Sequence, residues 1–230
     1  MKIKIGVIIF LVFGLASASK AFDPQSSLAL NSQASELGPS LTEVIERVEK
    51  TYDVPGFTAH FFQESTIKAM EITDSASGKI FVKRPGMMRW EYEKPDKQII
   101  ITNGDKLWIY KPEDNQVLLG KAPAFFGDGK GAGFLADIKI LRRKFSISRG
   151  DPKDDRYFNL KLVPLEKTIE LAEIILAVSK KTFKVDKIVT YNLYGDENRI
   201  DLINSRFDVL PDTSLFTFTI PEGVDVLQLE

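Results

Sequence analysis

The sequence predicts a mainly β protein with few helices (α+β), built as one strongly curved antiparallel sheet, or incomplete β-barrel, covered by a helical lid. From residue 57 onward, apolar and polar residues alternate with the period of two that is typical of strands. Turn-forming segments such as Arg84-Pro85-Gly86 and Asn103-Gly104-Asp105 separate these stretches, and connections this short indicate antiparallel hairpins. A sheet with so many strands is expected to curl into a partial barrel. The expected strands are residues 57–64, 67–73, 78–83, 88–93, 98–102, 106–110, 116–119, 144–148, 157–163, 173–179, 185–194, 199–209 and 216–220.

The N-terminus has the features of a secretory signal peptide. Lys2 and Lys4 precede an apolar run over residues 5–16, which is too short to cross a bilayer as a mature helix. Small residues follow, and the segment ending at Ala21 fits a signal-peptidase site, with Ala18 almost as good. We therefore predict that residues 1–21 are a signal peptide and that the protein is exported.

The remaining chain is expected to form a tail and one domain. Residues 22–39 are rich in Ser, Gln, Asn and Ala without a clear period, which predicts a flexible tail. Residues 40–230 are predicted to be a single domain, because their number suits one core. The chain has no Cys, so it forms no disulfide and offers no lipidation site at the signal cleavage point. We therefore expect a soluble exported protein.

The charge balance argues against a nucleic-acid partner or a general acidic-lipid partner. The chain has 31 Lys and Arg against 32 Asp and Glu. Removal of residues 1–21 takes away three Lys and no acid, which leaves 28 basic residues against 32 acidic ones. The mature net charge is then −4, and a negative protein is not drawn to phosphates.

Two apolar segments are predicted to form the lid. A helix begins at Ser40, where Ser40 and Glu43 have the spacing of a capping box. Its residues Leu41, Val44, Ile45, Val48 and Tyr52 form one apolar stripe. After a glycine-rich stretch, a second short amphipathic helix is expected over residues 134–141. The predicted lid residues are Val44, Val48, Phe134, Leu135 and Ile138.

Alternate residues of the first strands present one apolar face to this lid. Side chains two apart share a face of a strand, and the row includes aromatic residues and an adaptable Met. The predicted lining residues of a hydrophobic cavity are Phe57, Phe61, Ile80, Val82, Met88, Trp90 and Tyr92. The same pattern is compatible with an ordinary filled core. Spacing does not distinguish a filled core from an empty cavity, and on spacing alone we favour the filled core.

Arg84 is in line with the apolar row of Ile80 and Val82. An arginine at a strand end usually extends to solvent. Alternatively, its guanidinium turns inward and donates hydrogen bonds to carbonyl oxygens at the ends of the lid helices, since five donors in a rigid fork suit such a latch. The pattern by itself does not favour the latch.

Enzyme motifs are weak in this sequence. The single His, His60, is on the strand face opposite to Phe57 and Phe61, which makes a His-based triad or a His-rich metal site implausible. Ser65-Thr66-Ile67-Lys68 matches S-x-x-K but has no partner motifs. The glycine-rich residues 127–133 lack the Ser or Thr of a phosphate loop. We predict no catalytic residues, no cofactor and no metal.

Three segments resemble the LolA family of periplasmic outer-membrane lipoprotein carriers. The most specific stretch runs over residues 78–92, Gly-Lys-Ile-Phe-Val-Lys-Arg-Pro-Gly-Met-Met-Arg-Trp-Glu-Tyr, and is followed by Pro95. Residues 103–110, Asn-Gly-Asp-Lys-Leu-Trp-Ile-Tyr, are similar to the next hairpin of the family, and residues 216–224 are similar to its C-terminal motif. The resemblance covers about residues 41–226.

This resemblance implies an incomplete barrel with a helical lid over a hydrophobic cavity, located in the periplasm. It implies binding of acylated lipoproteins, which an inner-membrane lipoprotein-releasing ABC transporter supplies and an outer-membrane lipoprotein receptor accepts. It also implies that Arg84, in the Lys-Arg-Pro motif, bonds to the lid and holds it shut, and that Met88 and Trp90 line the cavity. Asp137 stands where the family leads us to expect an apolar lid residue. We expect a monomer without enzymatic activity.

Two other functions stay open on the sequence. One is a periplasmic binding protein for another amphiphile, such as a glycolipid. The other is a hydrolase, for instance a carboxylate-based glycosidase. Acylated proteins bound to the purified protein would favour the carrier, a bound free lipid would favour the first alternative, and turnover lost on mutation of a carboxylate pair would favour the second.

Overall fold

A computed structural model describes residues 38–126, 132–151 and 154–229. The predicted signal peptide 1–21, tail residues 22–37 and glycine-rich residues 127–131 lie outside the described residues. The strands are β1 Gly56–Ile67, β2 Ile72–Lys83, β3 Met87–Lys94, β4 Gln98–Asn103, β5 Lys106–Lys111, β6 Gln116–Lys121, β7 Phe145–Arg149, β8 Tyr157–Pro164, β9 Glu173–Ser179, β10 Val185–Tyr191, β11 Glu197–Arg206 and β12 Asp225–Gln228. The helices are α1 Leu41–Thr51, α2 Ala122–Phe126 and α3 Ile140–Lys144, with 3-10 turns at Lys68–Met70, 132–135 and Thr213–Phe216.

All these strands form one sheet in the order β12-β6-β5-β4-β3-β2-β1-β11-β10-β9-β8-β7. Neighbours in the order pair antiparallel, apart from β12, which runs parallel to β6. The described parts of the end strands, β12 and β7, do not pair with each other, so the curved sheet stays open. The predicted fold class, an incomplete antiparallel barrel, is confirmed.

Helix α1 begins with the predicted capping box. The Glu43 amide donates to Ser40 Oγ at 3.2 Å, and the Ser40 amide donates to Glu43 Oε2 at 2.7 Å. These bonds satisfy amides that have no partner within the helix. The Ser40 bonds also hold the pKa of Glu43 below its usual value.

Two of the strand predictions are wrong, and a third is too short. The expected strand 67–73 contains a turn at Lys68–Met70, and Glu71 has a left-handed backbone with φ of 54°. The expected strand 78–83 is formed, but it is only the second half of β2, whose first half is exposed at residues 73–75 and so gives no apolar alternation. The expected strand 216–220 is not formed, since Phe216 ends a 3-10 turn. β12 was missed because all four of its residues are exposed.

The second lid segment is not the single helix that the spacing of residues 134–141 predicts. It consists of the 3-10 turn at 132–135 and the separate helix α3. Asp137 lies between them, accepts a hydrogen bond from the Lys139 amide at 3.2 Å and pairs with Arg143. A short acidic side chain that bonds to the backbone two residues ahead of it favours a turn over a helix interior. This role accounts for an Asp at a position where an apolar residue was expected.

A large apolar core fills the space between the sheet and the lid. It joins α1, the segment 132–141 and the inward faces of most strands. A smaller cluster of Ile101, Trp108 and Val117 lies apart from it, and Phe218, Ile220 and Val224 pack against that cluster. The C-terminal segment therefore covers a second apolar patch of the sheet.

Gly78 is a point where β2 and β3 approach too closely for a side chain. A Cβ at this residue would lie 1.8 Å from the Glu91 carbonyl oxygen and 3.0 Å from Tyr92 Cα. Because these atoms are backbone, the strands would have to separate. We expect Gly78→Ala to lower the free energy of unfolding by about 3 kcal/mol or more.

Urea denaturation measures this loss, and Gly38→Ala is the matched control. A Cβ at Gly38 has nothing within 4 Å, so its variant should stay within about 0.5 kcal/mol of the wild type. Equal midpoints for the two variants would contradict the close approach.

Candidate functional site

The predicted cavity residues lie together on the sheet face under the lid. Phe57 pairs with Val82, Ile80 pairs with Trp90 and Val82 pairs with Met88 across β1, β2 and β3. Each of the seven predicted residues is no more than 7% exposed. The structure thus brings the whole set into one apolar layer, and the alternation within each strand places them there.

Aromatic contacts give this layer its rigid part. The ring of Phe61 lies 5.0 Å from that of Trp90 and 4.9 Å from that of Tyr92, both edge to face. Phe57 meets Tyr52 of the lid side at 5.6 Å in the same manner. Such pairs stabilise beyond the area they bury. Around them lie flexible or branched aliphatic side chains, which adapt more easily to a different neighbour.

The lid residues pack directly into the same core. Val44, Val48, Phe134, Leu135 and Ile138 are each no more than 3% exposed, and all belong to the apolar cluster of the sheet residues. The structure is therefore a closed form in which the lid covers the apolar layer. An apolar ligand would gain access to that layer only if the lid moved.

Arg84 connects the sheet to both lid segments. Its Nη1 donates to the Val54 carbonyl oxygen at 2.8 Å, just after α1. Its Nε donates to Ala136 O at 3.1 Å, and its Nη2 donates to Leu135 O at 3.3 Å. The guanidinium is turned inward, not to solvent, and its burial lowers the pKa of Arg84. These partners could not be predicted from the sequence, because they are backbone carbonyl oxygens and every residue has one.

A second link joins the two lid segments to each other. Arg142 of α3 forms an ion pair with Glu49 of α1, with Nε and Oε1 2.7 Å apart. Both side chains are partly exposed, so the pair contributes less than a buried one. Sequence reasoning missed this pair, since nothing local relates residues separated by 93 positions.

Tyr92, Gln63 and Asn198 form a small hydrogen-bonded cluster next to the apolar layer. The Tyr92 hydroxyl donates to Gln63 Oε1 at 2.9 Å, and Gln63 Nε2 donates to Asn198 Oδ1 at 2.7 Å. Burial raises the pKa of Tyr92, which keeps it a neutral donor. Gln63 is two residues after Phe61 and so shares its strand face, but nothing in the sequence points to Asn198, which is 135 residues away.

Strands β8 to β11 form a polar groove of about 950 Å³ on the other face of the sheet. Ile175 and Val189 line it together with charged residues. Its carboxylates include Glu173, which pairs with Lys161, and Asp201, which pairs with Lys187 at 3.4 Å. Lys side chains engage these two carboxylates, whereas burial raises the pKa of Asp186, which lines the same groove.

Within residues 38–126, 132–151 and 154–229, no group of three or more His, Cys, Asp or Glu is placed to hold a metal ion. No helix in the described part of the chain has the length and apolar character needed to cross a membrane.

Comparisons with known proteins place the chain among carriers with this architecture. The family model described as outer membrane lipoprotein carrier protein LolA matches residues 53–219. An outer-membrane lipoprotein carrier protein of Pseudomonas paraeruginosa is 28% identical over 171 residues, which are 74% of this chain and 80% of that protein. One from Nitrosomonas europaea is also 28% identical, over 75% of this chain and 82% of that protein.

A solved structure supports the fold alone. An uncharacterized conserved protein from Thermus thermophilus superposes with a TM-score of 0.52 at 14% identity, over 82% of this chain and 98% of that one.

The fold is an open, curved antiparallel sheet with an apolar face under a helical cover. The family model spans well over half of the sequence. This chain belongs to the LolA family of outer-membrane lipoprotein carriers. The carriers of this family are periplasmic binding proteins and not enzymes, which excludes the hydrolase alternative.

Proposed function

We propose that this protein carries lipoproteins across the periplasm by sheltering their acyl chains between the sheet and the lid. It would take them from an inner-membrane ABC transporter and deliver them to an outer-membrane receptor. Its export would depend on residues 1–21 as a signal peptide. The observation that carries the proposal is the set of Arg84 hydrogen bonds, which fasten both lid segments over a continuous apolar layer.

The apolar layer supplies the affinity. Burial of one methylene group contributes about 0.8 kcal/mol, so a sheltered acyl chain of about sixteen carbons would gain on the order of 10 kcal/mol. The predicted lining side chains, from Phe57 on β1 to Tyr92 on β3, offer such surroundings once the lid has moved. A carrier whose affinity came only from acyl-chain burial would release its cargo too slowly.

Closure of the lid opposes the free energy that is gained by burying the acyl chain. Opening breaks the hydrogen bonds from Arg84 to Val54, Leu135 and Ala136, and each charge-assisted bond contributes about 1.5–3 kcal/mol. It also separates lid side chains such as Phe134 from the core. Because closure of the lid forms these contacts again, closure favours release of the cargo. The balance of the two terms would set an affinity that permits hand-off.

The proposal is tested by release of lipoproteins from the inner membrane. Purified mature protein is added to spheroplasts that make one lipoprotein, and the soluble fraction is probed for it. We expect release of the acylated form bound to the carrier, as identified by mass spectrometry. Heat-denatured protein is the control.

The same assay separates the alternative function. A free lipid or glycolipid in the complex, without any acylated protein, would favour a binding protein for another amphiphile. Failure to release any acylated protein would overturn the carrier proposal.

A further inference from the structure

One polar atom in the apolar layer has no partner. Among the buried side-chain nitrogen and oxygen atoms of the described residues, Trp90 Nε1 is the one without a hydrogen bond. Trp90 is 3% exposed and lies in the core cluster between sheet and lid. A buried donor without an acceptor loses its hydration without compensation, and such an atom in a native protein calls for an explanation.

The other buried polar aromatic residues in this core are satisfied. Tyr92, two residues further along β3 and on the same face, donates to Gln63 at 2.9 Å. The Tyr52 hydroxyl accepts a hydrogen bond from the Val185 amide at 3.2 Å. A Phe at position 90 would keep an aromatic contact with Phe61 and avoid the unsatisfied donor. Packing alone therefore does not explain an indole at this position.

The missing acceptor has a chemical source if the site holds acyl chains, which is the proposed function on which this inference rests. The part of an acyl chain that accepts hydrogen bonds is its ester or amide carbonyl oxygen. Trp90 is in the middle of β3, with Met88 and Tyr92 beside it on the same face and Ile80 and Ile100 on the neighbouring strands. These neighbours would contact the methylene groups, and the Trp90 N–H is the buried side-chain donor that already lacks a partner when the lid is closed.

We propose that Trp90 is a specificity-determining residue whose indole N–H donates a hydrogen bond to the carbonyl oxygen of an ester- or amide-linked acyl chain. The bond forms only when the lid admits cargo. The carrier then prefers acyl chains to alkyl chains of equal length, because an ether-linked chain has no carbonyl to accept this bond.

The test compares two probes that differ in this carbonyl. They are 1-palmitoylglycerol and 1-O-hexadecylglycerol, titrated calorimetrically into the wild-type mature protein and two variants. We expect the wild type to bind the ester about fivefold more tightly than the ether. Trp90→Phe should bind both probes equally. Trp108→Phe, which changes the tryptophan of the separate small cluster, should keep the wild-type preference.

A second measurement uses only the wild type and does not depend on the variants. In nitrogen-15 spectra, the indole N–H proton of Trp90 should move downfield with the ester probe and not with the ether probe. Equal affinities of the wild type for the two probes, or equal shifts, would overturn the role of Trp90 while leaving the carrier proposal intact. Binding of neither probe, together with failed lipoprotein release from spheroplasts, would overturn both.

Discussion

Replacement of Arg84 by alanine will leave cargo binding intact or tighter and will slow the transfer of cargo to the outer-membrane receptor. The substitution removes three hydrogen bonds to lid carbonyls at Val54, Leu135 and Ala136. The closed form loses roughly 3 kcal/mol or more. Since cargo no longer competes with a fastened lid, its apparent affinity rises by up to roughly a hundredfold, because about 1.4 kcal/mol corresponds to a factor of ten. The measurement is the rate of transfer from the purified complex to receptor-bearing membranes.

Two variants serve as controls for Arg84. Arg84→Lys keeps the charge but loses the planar fork, so it should give an intermediate transfer rate. Lys83, the neighbouring residue, bonds to Thr213 instead of to the lid, and Lys83→Ala should behave as the wild type. A normal transfer rate for Arg84→Ala would show that the hydrogen bonds do not govern release.

Replacement of Phe134 by alanine will open the lid without unfolding the sheet. Phe134 is fully buried in the common core, and the loss of such a side chain costs about 3–5 kcal/mol. We expect most of this cost to appear as a greater population of the open lid, because Phe134 belongs to the lid segment and takes part in none of the strand pairs of the sheet. The free protein should bind an apolar dye several-fold more strongly at temperatures well below its melting point.

A matched variant at the surface tests whether the effect belongs to the lid. Leu165 is 62% exposed, and Leu165→Ala should change neither dye binding nor the free energy of unfolding by more than about 0.5 kcal/mol. If Phe134→Ala lowered the unfolding midpoint but left dye binding of the folded protein unchanged, the segment 132–141 would be part of one rigid core and not a movable cover.

The strands were predicted most accurately where apolar and polar residues alternate along the sequence. The rows containing Phe57, Ile80 and Met88 were assigned to one face from spacing alone, and the structure puts them there. The capping box at Ser40 was likewise readable, because both partners are within one turn of helix. Strand residues were missed in polar stretches, such as the first half of β2 and all of β12. There the strands pair through backbone hydrogen bonds, and the side chains show no alternation that would reveal a strand.

The sequence by itself determined the class of protein: an antiparallel sheet with an apolar inner face, an amphipathic helix to cover it, and the Lys-Arg-Pro segment that resembles a carrier family. These features depend on alternation and short spacing, which a linear chain records. The tertiary structure alone decided which carbonyls Arg84 binds, that Gln63 meets Asn198, and that Trp90 Nε1 has no partner. Each of these depends on atoms from distant parts of the chain, and a missing partner is recognised only when all the neighbours of an atom are known.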